Sequence, residues 1–568
     1  MKTNMIFKMA AVLLGSAVLL TSCIEETFPE SSYATNEQVA NSPFATGGIV
    51  TAMPTILMNN YTGVLGEHVD FGYAGIFGAL DRLAGEIFPV AGNMPGGNQY
   101  YDRWQFVLYP ANTNGLGVDG WGTPFFYYSY YQYIYTANAA IEVFSAASEP
   151  TAELGIAKVF RALSYMDMAR LYDPLPAKAQ GKEGTNPYEV DPKIQGLTVP
   201  IVREGMALSE LENNPRTPRE QMWAFILNDL NEAETLLADY KRTTMTLPNL
   251  SVVYGMKARA YLWLGGFTES YGDVALDENT TVNVPTGAAA YKLAAEYARK
   301  AINASGATIL TEAEYLDRTN GFSKVASSWM WALCQSVDTI INNLYSWTAH
   351  MSPDGQWGYG PLAQPGMSVL LYDRMSDTDF RKKIVVNKDR DFSKLEPYVL
   401  MTEEEFEDYQ IAPMCVFKFH TGGGEKYDDA RGNVTDIPLM RVEEMYLIEA
   451  EATAHADAAT GKTMIANFMA HRDPNYSFLG SDVIDEIIFQ KRIELWGEGQ
   501  IIYDLKRLNV SLHNGDAGTN APSMDRFTTD GRAPWWNLCL PLSAVQQNKG
   551  LDGFNNPTPF KTYLSNEQ

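Results

Sequence analysis

Helical periodicity dominates this chain from Trp121 onward, and the helical stretches come in twos. Trp121–Ala147 is followed by Ala152–Tyr172, which stops at Asp173-Pro174-Leu175-Pro176 because proline cannot continue a helix. Pro218–Tyr240 and Ser251–Gly265 form a second pair, and Tyr291–Ser305 with a shorter segment near Glu312 a third. Leu439–Ala459 and Asp482–Glu498 form the fourth. A helix with an apolar stripe must bury it on a neighbour, so the chain is expected to be mostly α.

Some of these helices echo one another. Arg161-Ala162-Leu163-Ser164-Tyr165 matches Arg259-Ala260-Tyr261-Leu262-Trp263, and Gly255, Ala258 and Ala260 allow a neighbouring helix close approach. The pattern resembles tetratricopeptide-like helix pairs, about four of them, forming a right-handed superhelical scaffold with large irregular loop-rich insertions. The insertions are rich in Gly, Pro and aromatic residues and cover roughly 60–120, 175–215, 320–435 and 510–565. Loops held by a rigid scaffold commonly form a binding surface.

Composition narrows the function classes. With 46% hydrophobic and 20% charged residues, a large core can form. The formal charge of −25 argues against a nucleic-acid or anionic-membrane partner, since both demand clustered Lys and Arg. Six histidines and four cysteines leave little for a metal or disulfide framework, so no metal and no cofactor is expected. Asp389 and Asp391 lack the Gly and terminal Glu of a calcium loop.

Residues 1–22 read as a secretory signal: Lys2 and Lys8 precede an uncharged apolar run from Met9 to Leu20. Twelve helical residues rise about 18 Å, short of the ~30 Å hydrocarbon core of a bilayer. Leu20-Thr21-Ser22-Cys23 resembles a bacterial lipobox, in which the cysteine carries the lipid. Several acyl chains at ~0.8 kcal/mol per buried CH₂ give a durable anchor. Residues 23–35 form a flexible tether, with Glu25 and Glu26 resembling the acidic export tags of surface lipoproteins. The rest, 36–275 and 276–568, is expected to form one compact body. Cys334, Cys415 and Cys539 permit at most one intrachain disulfide.

Three segments, in order, resemble the SusD/RagB family of outer-membrane nutrient-binding lipoproteins. They are Pro438–Ala452, with Arg441 and Glu444; Lys491–Gly499, with Arg492, Glu494 and Glu498, continuing to Asp504–Arg507; and Leu540-Pro541-Leu542 before Asn548. Fainter echoes are Ile134–Asn138, the Arg161 and Arg259 helices, and Asp379-Phe380-Arg381. Gln500-Ile501-Ile502 stands where the family commonly has an Arg, which bears on one salt bridge rather than on the assignment. The resemblance implies a non-enzymatic binder on the outer membrane that captures oligosaccharides, or in the RagB branch peptides. It implies a SusC-like TonB-dependent transporter as partner.

Glu494 and Glu498 are the most tempting catalytic pair. At i,i+4 their Cβ atoms stand ~5–6 Å apart on one face. A glycosidase needs carboxyls on both sides of the scissile bond, which one helix turn cannot supply. Arg492, Trp496 and Arg507 nearby point to buried ion pairs instead. No His-Glu-x-x-His and no Gly-x-Ser-x-Gly occurs, and Cys415 and His420 are poor co-ligands if their run is a strand.

Aromatics carry the binding hypothesis. A sugar's C–H face can lie on an indole or phenol ring while Asp, Asn, Arg or Gln meet its hydroxyls. Trp121–Tyr135 is the densest aromatic run, but Tyr127, Tyr131 and Tyr135 recur at helical spacing, so most of it reads as core. The loop candidates are Asp81, Arg82, Asn98, Tyr100, Tyr101 and Trp104, and a second cluster of Trp347, His350, Trp357 and Tyr359. The family resemblance places ligand contacts in these two broad regions. Three alternatives remain open: a RagB-type peptide binder, a surface glycoside hydrolase, and a barrel-capping subunit without a free ligand.

Overall fold

The computed structural model describes residues 34–59, 70–90, 115–120, 122–181, 184–339, 344–478, 480–522 and 525–558. Its scaffold helices, in chain order, are α1 (Pro43–Met58), α2 (Tyr73–Leu83), α3 (Gly122–Phe144) and α4 (Ala152–Tyr172), then α5 (Arg219–Leu236), α6 (Leu250–Gly265) and α7 (Gly287–Ser305). After a long insertion come α8 (Val442–Ala454), α9 (Ala458–Met469), α10 (Val483–Glu494) and α11 (Ile501–Arg507). The fold is mostly α and tetratricopeptide-like, with a few two-stranded ribbons among the insertions.

Local chemistry sets the helix ends. Thr151 caps α4 by accepting from the Leu154 N–H, Asn249 caps α6 through Val252, and Asp482 caps α10 through Ile484 and Asp485. The helix α7 ends at Gly306 in the left-handed conformation, φ +67°. The helix α4 is buried without a break from Gly155 to Tyr172, so its charged residues must pair inside the protein.

Helices stack in sequence: α3 on α4, α4 on α5, α5 on α6, and α6 on α7. The third pair departs from the sequence expectation. The segment at Glu312–Tyr315 is a single turn, and the helix that packs on α7 besides α6 is α8, which arrives only after the 306–441 insertion. In the fourth pair, α8 packs on α9, a helix that the sequence reading left unassigned beyond Ala459, and on α10. The expected helix over Asp482–Glu498 ends at Glu494, so Glu498 lies in the turn beyond it.

The Arg161/Arg259 echo has a structural meaning. Arg161, on α4, grips Asp229 of α5 with Nε–Oδ2 at 2.7 Å and Nη2–Oδ1 at 2.8 Å. Arg259, on α6, grips Glu444 of α8 with Nε–Oε1 at 2.7 Å and Nη2–Oε2 at 2.6 Å. Each arginine thus makes the same two-pronged clamp to an acid on a helix of the following pair. Close approach is equally specific at Gly255, where an added Cβ would lie 2.3 Å from the Met440 sulfur.

A short antiparallel ribbon pairs Trp329–Cys334 with Asp436–Arg441 and places Arg441 opposite Trp329 at the start of α8. The expected strand at Cys415–His420 forms only isolated bridges, Cys415 with Gly366 and Val416 with Val385. One hydrophobic cluster runs from Val50 to Leu551 and joins both halves of the chain. Cys334, Cys415 and Cys539 are free thiols. Among the described residues, no helix is long and apolar enough to cross a membrane.

Candidate functional site

The 438–452 and 491–507 segments build a buried charge network. Glu494, at the end of α10, accepts from three guanidiniums: Arg381 (3.1 Å), Arg441 (3.1 Å) and Arg472 (2.9 and 3.1 Å). Burial alone would raise its carboxyl, but Arg472, Arg441 and Arg381 outweigh it and hold Glu494 well below the usual carboxylate range. Glu498 accepts from Arg441 (2.8 and 2.9 Å) and from Lys418 Nζ (2.7 Å). Both glutamates are therefore occupied in ion pairs, and neither has an oxygen poised for acid–base chemistry.

Two expected partners go elsewhere. Arg492 pairs with Glu86 (Nε–Oε1 2.7 Å), and Arg507 pairs with Glu451 and with Asp504 (2.8 Å). Arg492 sits two positions before Glu494 on α10 and so faces another side of that helix, and Arg507 lies on α11 beyond the turn. Lys491 completes the second cluster by bridging Glu451 and Asp504. Lys506 serves the backbone: its ammonium donates to the carbonyls of Arg170, Leu171, Asp173 and Trp536 at 2.7–3.2 Å. Burial pushes Lys506 well below its ordinary pKa. The ammonium satisfies carbonyls that the end of α4 leaves without helical donors.

Asp81 joins this core rather than a ligand face. It lies on α2, fully buried, and accepts from the Gly499 N–H at 3.1 Å. Burial raises its carboxyl well above the usual range, with Glu86 and Glu498 adding to the rise and Gly499 and Lys418 opposing it. Arg82 turns its mostly buried side chain toward Asp525, 3.9 Å away. Both residues were expected in a binding loop. On α2, Asp81 packs under the 495–499 turn and Arg82 is half-buried beside Asp525.

Above this network, an aromatic column carries the 344–366 loop. Trp496 donates from Nε1 to Glu86 O (2.9 Å), Phe419 stacks on Trp496 at 6.3 Å, and Trp347 meets Phe419 edge-on at 4.9 Å. Trp347 is only 1% exposed, so it is a packing residue and not the open platform expected from the sequence. Tyr359 is buried too, its ring 5.0 Å from His350. His350 is half-buried, stacks on Phe71 (5.2 Å, 21°) and contacts the Leu344 carbonyl at 3.1 Å. Trp357 is half-buried and donates from Nε1 to Asn433 Oδ1 at 3.3 Å. An added Cβ on Gly432 would come 2.2 Å from the Trp357 ring, so only glycine fits beneath this indole.

The loop is pinned from below by Asp354. Its Oδ1 accepts from the Leu400 and Met401 N–H groups (2.9 Å each), and its Oδ2 contacts His420 Nδ1 at 2.8 Å. His420 is thus a buried brace beneath the loop. The structure brings Trp347, His350, Trp357 and Tyr359 into one assembly and sets Asp81 and Arg82 in the core. Asn98, Tyr100, Tyr101, Trp104 and Cys23 lie outside the described residues. Of the aromatic run, Tyr127 is buried, Tyr131 half-buried, and Tyr135 exposed at 75%. Lys418 and Arg472 escaped the sequence reading. The signal for Lys418 was a lone cation inside the apolar run Val416-Phe417-Lys418-Phe419; Arg472 carried none.

Residues 408–551 match the family model described as the SusD family, and residues 102–262 match a model described as starch-binding, associating with the outer membrane. The chain belongs to the SusD-like family. The first match contains Lys418, Arg441, Arg472, Glu494 and Glu498 of the network, with Arg381 upstream of it, so the family signature here includes a structural core. Solved structures agree on the fold. A SusD-like carbohydrate-binding protein from Bacteroides vulgatus is 19% identical, with a TM-score of 0.62 over 89% of this chain and 96% of that one. A SusD superfamily protein from Bacteroides thetaiotaomicron is 15% identical, with a TM-score of 0.62 over 90% of this chain and 99% of that one. One from Parabacteroides distasonis is 15% identical, at 0.59 over 91% and 98%. No curated protein matches. The family places this SusD-like chain among carbohydrate-binding, outer-membrane-associated proteins.

Proposed function

We propose that this protein is a lipid-anchored receptor on the outer face of the outer membrane. It captures oligosaccharides by ring stacking and hydrogen bonding and passes them to a SusC-like TonB-dependent transporter without covalent chemistry. The observation that carries this reading is the loop assembly around His350 and Trp357. Two half-buried rings are held by Asp354, Asn433 and the Phe71 stack on a rigid helical base, as a preorganised sugar-stacking site requires. The ion pairing of Glu494 and Glu498 supports a binder over a hydrolase, because a carboxylate locked between arginines can neither donate nor accept the catalytic proton.

A soluble form beginning at residue 24 tests the reading on a glycan and peptide array, with reducing-end release assayed in parallel. Binding to one polysaccharide class without cleavage is the expected result. Cleavage overturns it in favour of a hydrolase, and peptide-only binding moves the protein to the RagB branch. Localisation rests on Cys23. Cys23→Ala is expected to move the protein from the membrane pellet to the soluble fraction, and detergent-dependent retention of that variant would refute the anchor.

A further inference from the structure

A cavity of about 470 Å³ opens among the 374–379 segment, residues Met469 to Ser477 and Gly480 after α9, and the first turns of α10. It shares no residue with the His350–Trp357 assembly. Four carboxylates line it, Asp379, Asp473, Asp485 and Glu486, against one cation, Arg374. Asp379 is consumed by Arg381 behind it, at 2.7 Å. Glu486 accepts from the Tyr476 hydroxyl (3.1 Å), the Gln490 amide (2.8 Å) and Arg374 (3.0 Å).

Asp473 is different. It is 1% exposed, and its Oδ1 accepts from the Thr378 hydroxyl and the Asn475 N–H, yet its Oδ2 accepts from no donor. A buried carboxylate oxygen left without a donor is costly, and natural proteins keep few of them. Arg374 supplies the positive charge of the wall. Its side chain is 39% exposed, pairs with Asp485 at 2.8 Å, and lies with its guanidinium 4.1 Å from the Phe489 ring centroid.

We propose that this cavity binds a protonated amine. An ammonium brings three donors and one positive charge. It would meet the vacant Asp473 oxygen and share Asp485 with Arg374. A neutral hydroxylated ligand would supply donors but leave the surplus negative charge uncompensated. Two sources share this chemistry, an unacetylated amino sugar and a lysine side chain.

Calorimetric titration of the full-length protein in detergent separates them. The probes are glucosamine against N-acetylglucosamine, and Nα-acetyl-lysine methylamide against its Nε-acetylated form. Saturable binding of at least one free amine is expected, weakened about tenfold by acetylation and by a similar factor in Asp485→Asn. Asp485 is a mostly exposed residue at the start of α10, so this variant should melt with the wild type. Asp473→Asn should act in the same direction, and Asp485→Asn keeps the test valid if that variant misfolds. Whichever free amine binds identifies the source. Equal affinity for free and acetylated probes, unchanged affinity in Asp485→Asn, or no saturable amine binding each overturns the proposal. Neutral-glycan binding elsewhere on the protein does not enter the result.

Discussion

Glu494→Gln is expected to lower the folding stability by about 3–5 kcal/mol, the cost of leaving buried charges without their counterion. Three guanidiniums converge on this one carboxylate, from the loop residues Arg381 and Arg472 and from Arg441 at the head of α8. Glutamine keeps the shape and one acceptor oxygen but turns an N–H₂ toward an arginine and removes the negative charge. Denaturant unfolding at neutral pH reads the loss directly. The pH dependence supplies a second check. Because Glu494 is held well below its unfolded value of about 4.5, its contribution is complete above that value and disappears as pH falls through the depressed folded value. The gap between wild type and variant should therefore be constant from neutrality down to about pH 5 and close in stronger acid. A gap that is absent at neutral pH, or that widens in acid, would mean that the three arginines are compensated elsewhere.

Trp347→Ala and Trp357→Ala should separate packing from binding within one loop. Trp347 is enclosed by Phe419 and the core, so its removal is expected to cost about 3–5 kcal/mol. Trp357 is half-buried and rests on Gly432 through one hydrogen bond to Asn433, so its removal should cost about 1 kcal/mol or less. It should nevertheless weaken retention of the captured glycan about tenfold, the loss of one stacked ring. Thermal melts of both variants, read beside the array, decide the matter. Equal destabilisation would place Trp357 with the packing residues and move the binding surface elsewhere. Unchanged glycan retention in Trp357→Ala would do the same.

The helices were legible because their information is local. The cap at Thr151, the stop at Asp173-Pro174 and the apolar periodicity between them are all contained in one short window, and α4 occupies exactly the span they mark. The same locality explains the miss at α7. Nothing near Glu312 says that the surface of α7 is covered by a helix beginning at Val442, since a stacking partner is set by shape and burial and not by nearness in sequence. The candidate site was legible in part for a related reason. Aromatic density in a Pro/Gly-rich loop located the Trp347–Tyr359 cluster, but exposure is a property of what packs on top. The sequence offered no means of telling the buried Trp347 from the half-buried Trp357.

What the sequence determined by itself was the α class, the first two helix pairs, the family and the acidic charge balance, because each depends on residue type, spacing or an ordered set of motifs. What only the tertiary structure decided was the partner of each buried charge. Glu494 takes Arg381, Arg441 and Arg472 while Arg492, two residues before it, turns to Glu86. The choice rests on which side chains the folded backbone brings within about 3 Å in a medium that screens poorly, and sequence separation carries no information about that distance.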